Sequence, residues 1–281
     1  MMLFFLQLRG ELVKLFARKR TYLGFGAFLS LEVLVLILCQ LPRGKRALQK
    51  MIEGNGLTFE QYFSGLTLGF IMISVSIFFL GALFLGLVGG DFVAKEAEDG
   101  TLRMTLCRPS SRLRVLAVKY CSNVIYTFSL IFFVGLSALA AATLMRGTGG
   151  LFVLVPEEKL LVLYDFPMGL QRYLGALPFV ALSLLTISTF SFHLSCWNVK
   201  PAAAAIAAIC VFFADWIIHF MPYFETYKPY LMATHMSTWL NIFRGPIPWH
   251  KMVEDYAYLF GLDATFLVIA AVVFQARDFK S

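Results

Sequence analysis

Apolar positions run in six long blocks, and charge is largely confined to the stretches between them. The blocks are residues 21–41, 64–88, 121–145, 174–196, 201–221 and 256–274. A helix rises 1.5 Å per residue, so about 20 apolar residues cross the hydrocarbon of a bilayer. Each block is long enough, and the pattern predicts six membrane-spanning helices. The pattern differs ahead of the first block. In residues 1–20, Phe4, Leu8, Leu12 and Leu15 share one helical face, while Gln7, Glu11, Lys14 and Arg18 share another. That spacing suits an amphipathic helix lying in the membrane interface. It is not the order of a secretory signal, because the basic cluster Arg18-Lys19-Arg20 follows the apolar residues.

The connecting stretches are uneven. Residues 42–63 read as a polar loop, in which Thr58 and Gln61 have capping-box spacing. Residues 146–173 read as a loop carrying Glu157, Glu158 and Asp165. Residues 197–200 form a short turn, after which Pro201 opens the fifth block, a place where a helix tolerates proline. The alanines at 202–205, 207 and 208 suit close helix contact. Residues 222–255 are aromatic, with Tyr223, Tyr227, Tyr230, Trp239 and Trp249, and are broken by Pro222, Pro229, Pro246 and Pro248. A structureless loop of that length is uncommon. Short re-entrant or interfacial helices are expected there, at the depth Tyr and Trp prefer.

Residues 91–119, DFVAKEAEDGTLRMTLCRPSSRLRVLAVK, are the charged stretch between the second and third blocks. Gly100 is placed to end the incoming helix. Thr101 is placed to cap a short helix over 102–107, and Pro109 to stop it. Ser110 or Ser111 then caps the returning span. Leu102 and Leu106 fall on one face of the short helix. Glu96, Glu98 and Asp99 precede this ridge, and Arg103, Arg108 and Arg112 flank or follow it. An apolar centre with charged flanks predicts a docking knob turned toward a partner.

Composition narrows the class. The chain has 281 residues, 59% hydrophobic and 15% charged, with 29 phenylalanines. Soluble domains hold roughly 45–50% apolar residues, so an integral membrane protein is indicated. The net charge of +7 comes from basic residues beside apolar blocks, which points to membrane surface and not to nucleic acid. With the N-terminus inside, inner segments carry 14 Lys and Arg and outer ones 10. The inner segments are shorter in total, as the positive-inside rule asks, although Arg43, Lys45, Arg46 and Lys50 dissent.

Chemistry is sparse. The five cysteines are scattered without a CxxC pair, and the four histidines lack ligand spacing. No phosphate loop, HExxH or GxSxG is present, so a membrane-embedded enzyme is disfavoured and ATP has no site of this kind. Three acids interrupt the apolar blocks: Glu32, Asp215 and Asp263. Each costs on the order of 3 kcal/mol to insert at the bilayer centre. Two readings stand: a polar pathway for a cation, proton or amine-bearing substrate, or carboxyls kept neutral or hydrogen-bonded between helices. His219, one turn beyond Asp215, is placed to pair with it.

The run E-x-E-D-G-T-L at 96–102, then R-P-S-S-R at 108–112 and K-Y at 119–120, resembles the first cytoplasmic loop of ABC transporter permeases of the second exporter type. That family includes membrane subunits of bacterial drug, bacteriocin and sodium exporters. The close likeness covers about 30 residues, 91–119. The rest of the chain is similar only in span number, amphipathic start and length. The resemblance implies an all-α fold of six transmembrane helices over 21–281, with an interfacial helix over 1–20 and a re-entrant lid over 222–255. It implies a permease homodimer in the cell (inner) membrane, both termini cytoplasmic, and a separate ATP-binding subunit that carries ATP and Mg. Glu96, Glu98, Gly100, Thr101, Leu102, Leu106, Pro109 and Arg112 would then couple to that ATPase, with no catalytic residue, metal or cofactor in this chain. A six-span channel or ion-coupled carrier without an ATPase is the alternative. The substrate is not legible.

Overall fold

The computed structural model describes all residues except 1, 18, 55, 57, 108–110, 157, 159 and 278–281. The chain is a polytopic, predominantly helical membrane protein. Its first half comprises α1 (Met2–Ala17), α2 (Lys19–Gln40), α3 (Pro42–Glu53), α4 (Phe59–Tyr62), α5 (Gly65–Ser76), α6 (Ala82–Glu98), α7 (Thr101–Leu106) and α8 (Arg112–Arg146). A hairpin, β1 (Leu151–Val155) and β2 (Leu160–Tyr164), follows. It leads to α9 (Phe166–Ser195), α10 (Pro201–Phe220), α11 (Met232–Met236) and α12 (Trp249–Ala276).

Among the described residues five helices, α2, α8, α9, α10 and α12, are long and apolar enough to cross a membrane. The apolar block at 64–88 is built differently. A π turn, Ile77–Gly81, joins α5 to α6, so residues 65–98 are helical throughout but not as one regular α-helix. Several helices outrun their apolar blocks. α8 begins at Arg112 and α12 at Trp249, well before the expected 121 and 256. Apolar blocks measure contact with lipid, whereas a helix continues until a cap or breaker stops it. α6 stops at Gly100, whose φ of 72° is left-handed and suits glycine. Ser111 caps α8, accepting from Arg114 N at 3.3 Å.

Two expected loops carry structure. Residues 42–63 hold the helix α3, whose Ile52 is buried against Val35, Leu36, Leu68 and Met72. The Thr58–Gln61 capping box does not form. Thr58 Oγ1 donates to Gln61 Oε1 at 3.1 Å, and Ser64 instead caps α5 by accepting from Thr67 N. Residues 146–173 hold the hairpin, paired antiparallel from Leu151↔Tyr164 to Val155↔Leu160. The all-α expectation therefore stands for the spans and is corrected here. Both strands are continuously apolar, and without period-2 alternation the pattern gave no strand signal.

The bundle has two ends. At the hairpin end Ser64 Oγ donates to Gly150 O, Tyr164 OH to Phe243 O and Arg172 to Ile242 O. The aromatic stretch beyond α10 gathers there as 3-10 turns, Pro222–Tyr230 and Ser237–Phe243, around α11. At the opposite end, named here for α7, Arg112 donates to Gln275 O and Arg277 O, both at 2.9 Å. Arg277 in turn donates to Trp197 O at 2.8 Å. Between the ends, small residues let backbones approach. A Cβ on Gly89 would lie 2.6 Å from Ser188 O, and one on Gly90 3.0 Å from Ala205 N. Of the alanine run, Ala204, Ala205 and Ala208 are buried, whereas Ala202, Ala203 and Ala207 are exposed.

Candidate functional site

The α7 end carries most of the chemistry. Lys119, on the second turn of α8, is 1% exposed. A buried ammonium survives only if its donors are met. Its Nζ lies 2.7 Å from Glu96 Oε2, 3.2 Å from Phe92 O and 3.4 Å from Glu11 Oε2. Lys14 completes the group, 2.8 Å from Glu11 Oε1 and 4.0 Å from Glu96 Oε1. Two cations and two anions thus fasten α1 to α6 and α8. Burial by itself raises the Glu11 carboxyl, but Lys119 and Lys14 outweigh it and hold it below the usual value. Low dielectric makes such a quartet depend on all its members.

α7 packs against α6 and α8, held by Leu102, which is fully buried in the main core. The expectation that Leu102 faces a partner is overturned. Its helix packs against α6 and α8, and the Leu102 side chain lies between them and away from solvent. Glu96 is corrected likewise: it is buried with Lys119 and offers no docking charge. Thr101 does not cap α7; Gly100 holds that position, and Thr101 Oγ1 bonds back to Glu96 O at 3.4 Å. Arg112 is exposed but bound to the last carbonyls of α12. Glu98 is exposed beside Lys95, at 3.1 Å. Pro109 and the side chain of Leu106 lie outside the described residues. The surface of α7 that faces away from the bundle consists of Thr101, Arg103, Met104 and Cys107, with Met104 67% exposed.

The three acids of the apolar blocks lie on three different helices, α2, α10 and α12. Glu32 is buried between α2 and α8, where Ser137 Oγ donates to its Oε1 at 2.9 Å. Asp215 accepts from Met232 N at 3.2 Å and Ala233 N at 2.6 Å, so it closes the first turn of α11. His219 does not hydrogen-bond to it; its Nδ1 lies 2.9 Å from Thr234 Oγ1. Asp263 differs from both. It is buried on α12 beside Thr186 and Thr189, and its Oδ1 has no hydrogen-bond partner.

A family described as a protein of unknown function, DUF2705, has a model that matches residues 33–280. The chain belongs to this family. The DUF2705 match takes in Glu96, α7, Lys119, Asp215 and Asp263. It begins after α1 and Glu32. No curated protein matches the chain.

Sequence reasoning missed Lys119 as the centre of the ion quartet. A signal existed: it is the one charge within VLAVKYCSN. Glu11 and Lys14 were legible as a polar face, but their partner across more than a hundred residues was not. The His235–Asp255 contact at 2.7 Å had no sequence signal, because the two residues lie in different elements 20 positions apart.

Proposed function

We propose that the chain is the membrane-spanning permease subunit of an ABC exporter. In this reading residues 65–98 form a sixth span, both termini face the cytoplasm of a cell (inner) membrane, and two copies form the pathway. A separate ATP-binding subunit, with its ATP and Mg, docks at the α7 end. The observation that carries the reading is α7 itself: a short helix between α6 and α8, set by a left-handed glycine and anchored by buried Leu102, beside a buried ion quartet. A helix so fixed transmits force to α6 and α8 without deforming. The excess of basic residues at this end supports its cytoplasmic placement. The docking contact moves, however, from the buried Leu102 to the exposed Met104 and Arg103. Methionine adapts its shape to a partner's groove.

The test is co-expression with a candidate ABC ATP-binding subunit, followed by pull-down and ATPase turnover in proteoliposomes. Met104→Asp should lower both while leaving the chain folded in the membrane. Full retention of both by Met104→Asp combined with Arg103→Glu would sink the reading.

A further inference from the structure

The span α2 ends at Gln40, and α3 begins at Pro42. Leu41 O accepts from Lys45 N at 2.8 Å, which ties the first turn of α3 to the end of the span. The two helices meet in a close bend, where a Cβ on Gly44 would overlap Leu38 O. α3 therefore starts at the membrane boundary. One side of it is laid against the bundle at the hairpin end. Ile52 is 1% exposed, and Leu48 packs with it into the cluster that holds Val35 and Leu36 of α2 and Phe152 of β1. The other side is basic. Arg43, Arg46 and Lys50 share one helical face, and all three are exposed. Lys45 is exposed as well, with its Nζ over the Phe59 ring at 5.7 Å. The one acid on α3, Glu53, accepts from Gln49 Nε2 at 2.8 Å. Among the described residues no hydrogen bond or ion pair takes up the side chains of Arg43, Arg46 or Lys50. Just before the bend, Leu34, Ile37, Leu38 and Leu41 recur at helical spacing and are half-exposed. They form an apolar column on the outside of α2.

We propose that the basic face of α3, Arg43, Arg46 and Lys50, is a docking surface for anionic phospholipid headgroups, with acyl chains along the α2 column. Charge decides the headgroup. α3 carries four cations against one acid, so it complements a phosphate and offers little to the ammonium of a zwitterionic lipid. Position decides for lipid over a soluble anion. A helix at the membrane boundary, apolar on one side and basic on the other, has the form that binds an anionic bilayer surface. In the orientation proposed above, these are the cations that run against the positive-inside rule, and lipid phosphates supply their counter-charge. The surface itself requires neither that orientation nor the docking of an ATPase.

The experiment uses the purified full chain in non-ionic detergent, without a partner. Its melting temperature is followed as phosphatidylglycerol, or phosphatidylcholine of the same chain length, is added. The expected result is a saturable rise with phosphatidylglycerol that phosphatidylcholine does not reproduce. Salt at about 0.5 M should weaken it, because exposed charges are screened. Arg43→Gln, Arg46→Gln and Lys50→Gln combined should raise the half-saturating concentration about tenfold. All three positions are exposed, so the variant keeps its fold. Arg114→Gln, an exposed cation at the α7 end, should leave half-saturation unchanged. Equal rises with the two lipids, or wild-type half-saturation in the triple variant, overturn the surface. A tenfold loss in Arg114→Gln overturns it too, by reducing the effect to net charge. An equal rise with heparin in place of lipid overturns the lipid assignment and gives the face to a soluble polyanion. Such failures would leave the permease reading untouched, because that reading is tested by pull-down.

Discussion

Lys119 Nζ lies 2.7 Å from Glu96 Oε2, with both side chains almost wholly withdrawn from solvent. The pair joins the foot of α6 to the foot of α8, and Glu11 ties α1 to the same ammonium. Removing one member strands a buried charge. Lys119→Ala should therefore destabilise the fold by about 3–5 kcal/mol. Replacing both partners, as Glu96→Leu with Lys119→Met, should recover most of the loss, since Glu11 keeps Lys14. Thermal unfolding of the two variants and each single change forms the double-mutant cycle. Additive losses would show that the contact carries no coupling.

Leu102 and Met104 are two residues apart and have opposite fates. Leu102 is fully buried, whereas Met104 is 67% exposed. Leu102→Asp places a carboxylate in the core and should cost several kcal/mol, lowering the yield of folded protein in the membrane. Met104→Asp should leave yield and melting temperature within the ordinary range of surface changes, about 0.5 kcal/mol. Quantifying the folded, monodisperse fraction of each variant in detergent distinguishes them. Wild-type yield for Leu102→Asp would contradict the inward placement of Leu102.

The contrast shows what the pattern along the chain can and cannot carry. Five of the six apolar blocks coincide with helices long and apolar enough to cross a membrane, because lipid contact demands such blocks. Gly100 and Ser111 were legible because their roles are local: one supplies a positive φ, the other an oxygen for the next turn. Leu102 was misjudged because its direction is set by how α7 lies against α6 and α8, a relationship no local spacing encodes. The hairpin was missed because a two-sided apolar strand has the same pattern as a buried helix segment. The ion quartet escaped for a related reason: Lys119 meets Glu11 across 108 positions.

Glu32 and Asp215 make a matched test of structural acids. Glu32 accepts one hydroxyl, from Ser137, and a glutamine keeps that acceptor. Glu32→Gln should change stability by less than about 1 kcal/mol. Asp215 uses both oxygens on the backbone N–H groups of Met232 and Ala233, and asparagine would turn an amino group toward one of them. Asp215→Asn should cost about 1–3 kcal/mol and speed hydrogen exchange at residues 232 and 233 while sparing α12. Unchanged exchange at those two amides would remove the capping role from Asp215.

His235 sets a pH dependence at the hairpin end. Its Nδ1 lies 2.7 Å from Asp255 Oδ1 and its Nε2 lies 2.9 Å from Pro229 O. Both partners are acceptors, so only the doubly protonated ring satisfies them at once. Tyr258 stacks on the ring, with centroids 4.0 Å apart, and a cation over that face is favoured. Asp215 also acts on it from α10, while Lys251 faces Asp255 from within α12. Burial works against the charge, but Asp255 and Pro229 outweigh it and raise the imidazole above its ordinary value. A raised value means that the folded state holds the proton more tightly than the unfolded one. The contribution of His235 is therefore complete below about pH 6.5 and is lost as pH rises through the folded-state value. Hydrogen exchange of residues 229–238, corrected for the intrinsic rate, should show protection that declines several-fold from pH 6 to pH 8.5. His235→Gln keeps one donor and cannot titrate, so its protection should be lower at pH 6 and flat across the range. A decline of equal size in His235→Gln would assign the pH dependence to another group.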